Sequence, residues 1–151
     1  MAAVRRLRPA DIPEPVAAPA ALPAPVIQSY WTMRALYTVA PILFGLDKFF
    51  NLMTNWEQYL APVFPQTLHL SATTIMRGVG IIEVVAGILV AIAPRYFGYL
   101  VMAWLWLIIV NLLLKAEYFD VALRDFGLSL GALTLARLAQ AVHEARIHDH
   151  A

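Results

Sequence analysis

Four long apolar segments constrain the fold of this chain more than any other feature. They cover 19 to 21 residues each and run over Tyr30–Phe50, Thr73–Ala93, Tyr96–Leu114 and Tyr118–Leu138. A helix of about 20 residues spans a hydrocarbon core of about 30 Å, whereas a transmembrane β-strand needs only about ten alternating residues. The last two connections are very short, which favours antiparallel neighbours. The sequence therefore predicts an all-α fold, an antiparallel four-helix bundle integral to a membrane.

The composition agrees with a membrane protein and excludes several classes of site. Of the 151 residues, 61% are hydrophobic and only 14% are charged, whereas soluble domains carry about 25% charged residues. The absence of cysteine excludes disulfides, thiolate metal sites and iron–sulfur clusters. A formal net charge of +1 gives no reason to expect nucleic acid as a partner.

The cations predict the orientation in the membrane. One side would hold seven arginines, namely Arg5, Arg6, Arg8, Arg34, Arg95, Arg137 and Arg146. The connections on the other side hold only Lys115. Because cytoplasmic ends carry the excess of Lys and Arg, we expect both termini in the cytoplasm and the connection Asn51–Ala72 outside. The chain would be a multi-pass protein of a cell inner (cytoplasmic) membrane.

Polar terminal segments flank the apolar region 30–139. Residues 1–29 form a Pro- and Ala-rich arm. Because proline lacks the backbone N–H that a helix interior requires, we expect the stretch Pro9–Pro25 of this arm to be extended. The arm is either a disordered leader or a segment ordered by a larger partner. Residues 140–151 are interpreted as a solvated tail. Its histidines follow no established ligand spacing, so no metal site is expected.

Seven polar residues interrupt the apolar segments, although each ionisable group costs about 2.5–3.5 kcal/mol on insertion scales. They are Asp47, Lys48, Arg77, Glu83, Asn111, Arg124 and Asp125. In an antiparallel bundle all seven fall in the outer half, where three acids balance three bases. We expect Glu83 to pair with Arg124 or Lys48, and Arg77 to pair with Asp47 or Asp125.

Helical spacing predicts which faces point inward. Small or polar residues recur every three or four positions in three sets: Thr38, Pro41, Gly45 and Lys48; Gly80, Glu83 and Gly87; Arg124, Gly127 and Gly131. Small residues let membrane helices approach closely, so these faces are expected to face the interior of the bundle. The connection Asn51–Ala72 is rich in aromatic residues and proline, and we expect it to lie at the outer interface and cap the polar residues.

Two interpretations of the seven polar residues remain open. In the first, their pairs only fix the register of the helices. In the second, they line a quinone- or substrate-binding pocket in which Glu83, the candidate catalytic residue, binds or relays a proton. No cofactor is expected to be intrinsic, because none of His69, His143, His148 and His150 lies within an apolar segment where it would ligate haem. A quinone or a lipid remains open as a bound group.

Short motifs in this chain resemble the DoxX-like (DoxX/DoxD) family. They are G-L-D-K at Gly45–Lys48, I-I-E-V-V-A-G-I-L at Ile81–Leu89, Pro94–Arg95 at the hairpin, and R-D-F-G-L-S-L at Arg124–Leu130. The resemblance covers about Arg34–Leu138. It implies a four-helix membrane protein linked to quinone-reactive oxidoreductases, since the founding members are subunits of a thiosulfate:quinone oxidoreductase. Lys48 and Glu83 occupy the polar positions that recur in that family.

Three functions follow as expectations. The leading one is a non-catalytic accessory subunit of a larger quinone-linked respiratory or photosynthetic complex, with lipid and other membrane subunits as partners. The second is a quinone- or quinol-binding oxidoreductase component in which Glu83, Lys48 and Arg124, together with Asp125, handle protons. The third is a small proton-coupled transporter that works as an oligomer, because four short helices barely enclose a path.

Overall fold

The computed structural model describes residues 22–148, which are helical and contain no strand. The five α-helices are α1 (Ala24–Phe50), α2 (Val63–Leu68), α3 (Ala72–Ile92), α4 (Pro94–Lys115) and α5 (Phe119–His148), and a 3-10 turn covers Trp56–Tyr59. Within this range α3 and α4 are long and apolar enough to cross a membrane. The all-α expectation is confirmed.

The first long helix begins earlier than the sequence predicts. It starts at Ala24, whereas the expected arm extended to residue 29. Pro25 lies in the first turn, where the missing proline N–H has no intrahelical partner to lose and the fixed φ suits a helix. The prediction of extended chain over Pro9–Pro25 is therefore wrong at Ala24 and Pro25. The part of the arm at residues 1–21 lies outside the described residues.

The last helix ends later than the sequence predicts. It continues to His148, and its final turns bury Ala139 and Val142 in the main apolar core. The segment expected to be a solvated tail is therefore helical through residue 148, and it buries Val142 because one side of it still has a core to cover. His143 is exposed on that helix. Asp149 and His150 lie outside the described residues.

Close packing joins the long helices in pairs, α1 with α3 and α4 with α5, and smaller contacts join α3 to α4 and α1 to α5. Gly45 lies against Gly80, whereas Gly87 lies against Thr38 and Ile42. The contacting residue numbers rise along one helix as they fall along the other, so α1 and α3 are antiparallel. The inward faces expected for these two helices are confirmed.

The buried face of α5 differs from the expected one. Arg124 and Gly127 are exposed, and the space beside Gly127 is open. Only Gly131 of that predicted set is packed, against the Tyr37 hydroxyl. The buried positions are instead Ala122, Asp125, Ser129, Ala132, Leu135, Ala136, Ala139 and Val142. Alanine and serine, rather than the glycines of the predicted set, provide most of the small side chains on this face. The buried face of α5 is therefore rotated by about one residue from the predicted one.

Candidate functional site: a buried polar cluster

An ion pair between α1 and α3 lies at the centre of the candidate site. The Lys48 Nζ is 2.6 Å from Glu83 Oε2, and only 4% and 10% of the two side chains are exposed. Gly45 and Gly80 lie three residues before the paired residues, and they let the helices approach closely enough for the side chains to meet. The expected pairing of Glu83 with Lys48 is confirmed.

Trp56 covers this ion pair from the connection after α1. The Lys48 ammonium lies 3.8 Å from the centroid of the indole ring, within the range of a cation–π interaction. The indole N–H donates a 2.7 Å hydrogen bond to Asp47. Asp47 also accepts hydrogen bonds from the backbone N–H groups of Leu52 and Met53. Asp47 therefore fixes the chain that leaves α1, and it does not pair with Arg77.

Asn111 of α4 holds the same connection at a second point. Its side chain accepts a 2.9 Å hydrogen bond from the N–H of Ala61 and donates a 2.7 Å hydrogen bond to the carbonyl of Tyr59. Ala61 is fully buried, so its N–H has no access to water. The expectation that residues 51–72 cap the polar residues is confirmed by these contacts and by the position of Trp56.

Replacing Asn111 by leucine should free this connection. The substitution leaves the buried Ala61 N–H without an acceptor, which costs about 1–3 kcal/mol. We expect faster proteolytic cleavage within residues 52–71 and faster amide hydrogen exchange at Ala61, measured on the detergent-solubilised protein. The control is Asn55→Ala, because Asn55 is exposed and caps only the 3-10 turn. Equal cleavage rates in both variants would contradict the anchoring role of Asn111.

Asp125 and Trp104 complete the cluster from α5 and α4. Asp125 is 7% exposed and lies within Coulombic range of Lys48 and Glu83. Its nearest cation is Arg124, whose Nε lies 3.8 Å from Asp125 Oδ1. The Trp104 indole lies near Glu83, and its N–H is buried without a hydrogen-bond partner in the described region. All four long helices thus contribute to one cluster.

Of the two remaining arginines, Arg124 contacts only the edge of the cluster at Asp125, and Arg77 lies outside it. The Arg124 side chain is 68% exposed, and Arg77 is also exposed. No ion pair joins Arg124 to Glu83 or Arg77 to an acid in residues 22–148, so those two expected pairings are wrong. Of the seven polar residues, the structure brings together Asp47, Lys48, Glu83 and Asp125, and it places Asn111 beside them through the connection.

Sequence reasoning missed the indole groups of this cluster. Trp104 lies seven residues before Asn111, and two helical turns place both side chains on the same face. That spacing was an available signal. Trp56 offered no comparable signal, because the path of an irregular connection decides where its ring lies. Within residues 22–148 no group of three acidic or histidine side chains is placed to hold a metal ion.

Comparison with known proteins adds no family assignment. No family model matches the chain, and no match was found among curated proteins or solved structures. The DoxX-like resemblance therefore stays a prediction carried by the four short motifs.

Proposed function

We propose that the chain is a four-span integral membrane protein that serves as an accessory subunit of a larger quinone-linked electron-transfer complex. The observation that carries this proposal is that the buried polar groups mostly bind partners within the chain, whereas the outward faces are apolar. Such a protein stabilises neighbours in the membrane and needs no reaction of its own.

The outward faces support four spans. Large apolar side chains more than one third exposed occur on every long helix, among them Leu36, Val39, Leu43, Ile81, Val85, Ile88, Leu107, Val110, Leu123 and Leu130. Soluble monomers rarely expose contiguous apolar patches above a few hundred Å². On α1 the exposed residues recur every three or four positions, as on α3, although α1 is less apolar overall. A lipid environment suits all four faces.

The ends of the helices support the proposed orientation. Arg34 of α1 donates a hydrogen bond to the carbonyl of Ala91 near the end of α3. Gln140 near the end of α5 donates to the hydroxyl of Tyr99 at the start of α4. The arginine-rich ends of the long helices thus lie together, which agrees with a cytoplasmic location for that end under the positive-inside rule.

The contacts within the cluster favour a structural role over a catalytic one. Lys48 and Glu83 join α1 to α3, Asp47 fixes the chain after α1, and Asn111 binds the connection to α4. The adjacent residues Asp47 and Lys48 belong to the G-L-D-K motif, and Glu83 belongs to the motif I-I-E-V-V-A-G-I-L, both of which carry the DoxX-like resemblance. The link to quinone systems rests on that resemblance, whereas the accessory role rests on these contacts.

Isolation of the tagged chain from its native membranes tests the subunit proposal. In a mild detergent we expect it to migrate in native electrophoresis with a larger assembly that contains redox-active subunits identified by mass spectrometry. A harsher detergent applied to the same membranes serves as the control and should release the chain alone. A chain that migrates alone in the mild detergent, with no heavier partner after cross-linking, would contradict the proposal.

A further inference from the structure

We infer that the arginine-rich end of the bundle binds the phosphate of an anionic phospholipid, at a site formed by Arg34 of α1 and Arg95 at the start of α4. This goes beyond the accessory role, which needs no particular lipid. It rests on the proposed membrane location and not on membership of a complex. Basic groups between helices at the cytoplasmic side of a membrane protein are typical binding sites for anionic headgroups.

The difference in charge between the two ends of the bundle is the first argument. Among residues 22–148 the arginine-rich end carries four arginines and one acid, whereas the opposite end carries four bases and six acids. No ion pair joins any of the four arginines to a carboxylate in this range. This end therefore presents positive charge that the described part of the chain does not compensate. Its charged residues are Arg34, Arg95, Arg137, Glu144 and Arg146.

The geometry around Arg34 is the second argument. Its guanidinium donates a 3.0 Å hydrogen bond to the hydroxyl of Tyr30 and another to the carbonyl of Ala91, near the end of α3. The same group lies 5.0 Å from the centroid of the Trp31 ring. These three partners are neutral, so they orient the guanidinium and leave its charge uncompensated. A guanidinium has five N–H donors that match the oxygens of a phosphate, and the two hydrogen bonds leave donors free.

Arg95 adds a second cation at the same end of α3. It follows Ala91 by four positions, which span at most about 14 Å. Its guanidinium lies 4.5 Å from the centroid of the Tyr96 ring. Tyr96 is 60% exposed, and Trp31 beside Arg34 is 50% exposed. Tryptophan and tyrosine are enriched at the level of the lipid headgroups, so the two rings place both guanidiniums where phosphates lie.

A phospholipid fits this surface better than a soluble anion does. Ile92 and Leu100 lie within a few residues of the α3–α4 hairpin, and they are 69% and 48% exposed. A ligand for the whole surface therefore needs an anionic group for the arginines and apolar chains for these side chains. An anionic phospholipid of the adjacent leaflet supplies both.

Native mass spectrometry of the full chain in a neutral detergent tests the inference. The two probes are a phosphatidylglycerol and a phosphatidylcholine with the same acyl chains, and we expect the phosphatidylglycerol to bind at lower concentration. Arg34→Gln and Arg95→Gln should each weaken its binding about fivefold and leave the binding of phosphatidylcholine nearly unchanged. The matched control is Arg77→Gln, which removes an exposed arginine from the opposite end of the bundle and should have no effect.

Three results would overturn the inference. Equal binding of the two lipids would show that only the acyl chains are recognised. Displacement of phosphatidylglycerol by inorganic phosphate at constant ionic strength would indicate a site for a soluble anion. An Arg146→Gln variant that binds phosphatidylglycerol as weakly as Arg34→Gln would show diffuse attraction to the whole end of the bundle and no site at Arg34.

Folding of the variants and the membrane location are controlled separately. Circular dichroism and monodispersity establish that each variant is folded. Should Arg34→Gln fail to fold because it loses its contact with α3, Arg95→Gln decides alone, since the Arg95 guanidinium packs on the adjacent ring of Tyr96. A chain that stays in solution without detergent would contradict the membrane location itself, and the inference with it, whereas the lipid measurements leave the subunit role untouched.

Discussion

Replacement of Lys48 by methionine is expected to lower the free energy of unfolding by about 3–5 kcal/mol. The substitution leaves Glu83 buried without its partner at 2.6 Å and removes the cation that the Trp56 ring covers. The loss should grow as the pH rises, because a protonated Glu83 needs no countercharge and an ionised one does. Reversible unfolding in mixed detergent micelles, followed by circular dichroism, measures the change.

Two further variants separate the buried pair from charge loss in general. Lys115→Met removes a lysine whose partner Glu117 lies 3.4 Å away and is 61% exposed, so we expect a change below about 1 kcal/mol. The double variant Lys48→Met, Glu83→Leu should recover most of the stability, because it removes both buried charges and fills the space with apolar atoms. A double variant no more stable than Lys48→Met would contradict the account of an uncompensated carboxylate.

The sequence limited the partner of Glu83 to Lys48 or Arg124, and the structure shows Lys48. Each residue follows a glycine by three positions, and that spacing places charge and close approach on the same helical face. Because α1 and α3 are antiparallel, the two charges then lie at a similar depth in the bundle. The prediction needed only helix periodicity and the rule that buried charges require partners, so it held despite errors at the helix ends.

The orientation of α5 was not predictable from the same reasoning. Arg124 and Asp125 are adjacent, and successive residues on an α-helix point about 100° apart, so a small rotation decides which of them is buried. Glycine at 127 and 131 favoured the face of Arg124. Alanine and serine at 122, 129 and 132 offered an equally small face on the side of Asp125. From the sequence alone, the glycine pattern and the alanine–serine pattern predict a buried face equally well. Packing against α4 and α1 decides which face is buried.

The helix ends and the capping connection depend on features that hydropathy does not report. The last turns of α5 are polar on one side and bury Ala139 and Val142 on the other. The mean hydropathy of the segment therefore predicts a solvated tail. The connection after α1 gains its path from hydrogen bonds of Asp47 and Asn111 to backbone groups. Those two residues stand out in the sequence as polar residues within apolar segments, whereas what they bind depends on the turn geometry of the chain.

A single methyl group at Gly80 should be enough to disturb the site, whereas the same group at Gly78 should not. A Cβ at Gly80 would lie 2.6 Å from the carbonyl oxygen of Gly45 and 3.1 Å from the Cβ of Lys48, and a Cβ at Gly78 meets nothing within 4 Å. Both substitutions gain helix propensity of about 1 kcal/mol. The backbone oxygen of Gly45 moves only if α1 and α3 separate, so the overpacking at Gly80 costs about 1–3 kcal/mol.

We therefore expect Gly78→Ala to be neutral or slightly stabilising and Gly80→Ala to be destabilising, with Gly80→Val worse again. The measurement is the free energy of unfolding in the same micelles. Separation of α1 from α3 also draws Lys48 away from Glu83, so the pH dependence of the Gly80 variants should shift toward that of Lys48→Met. Equal stabilities for the alanine variants at 78 and 80 would mean that the two helices are not in backbone contact. In that case the ion pair would lack the close approach that now brings its residues together.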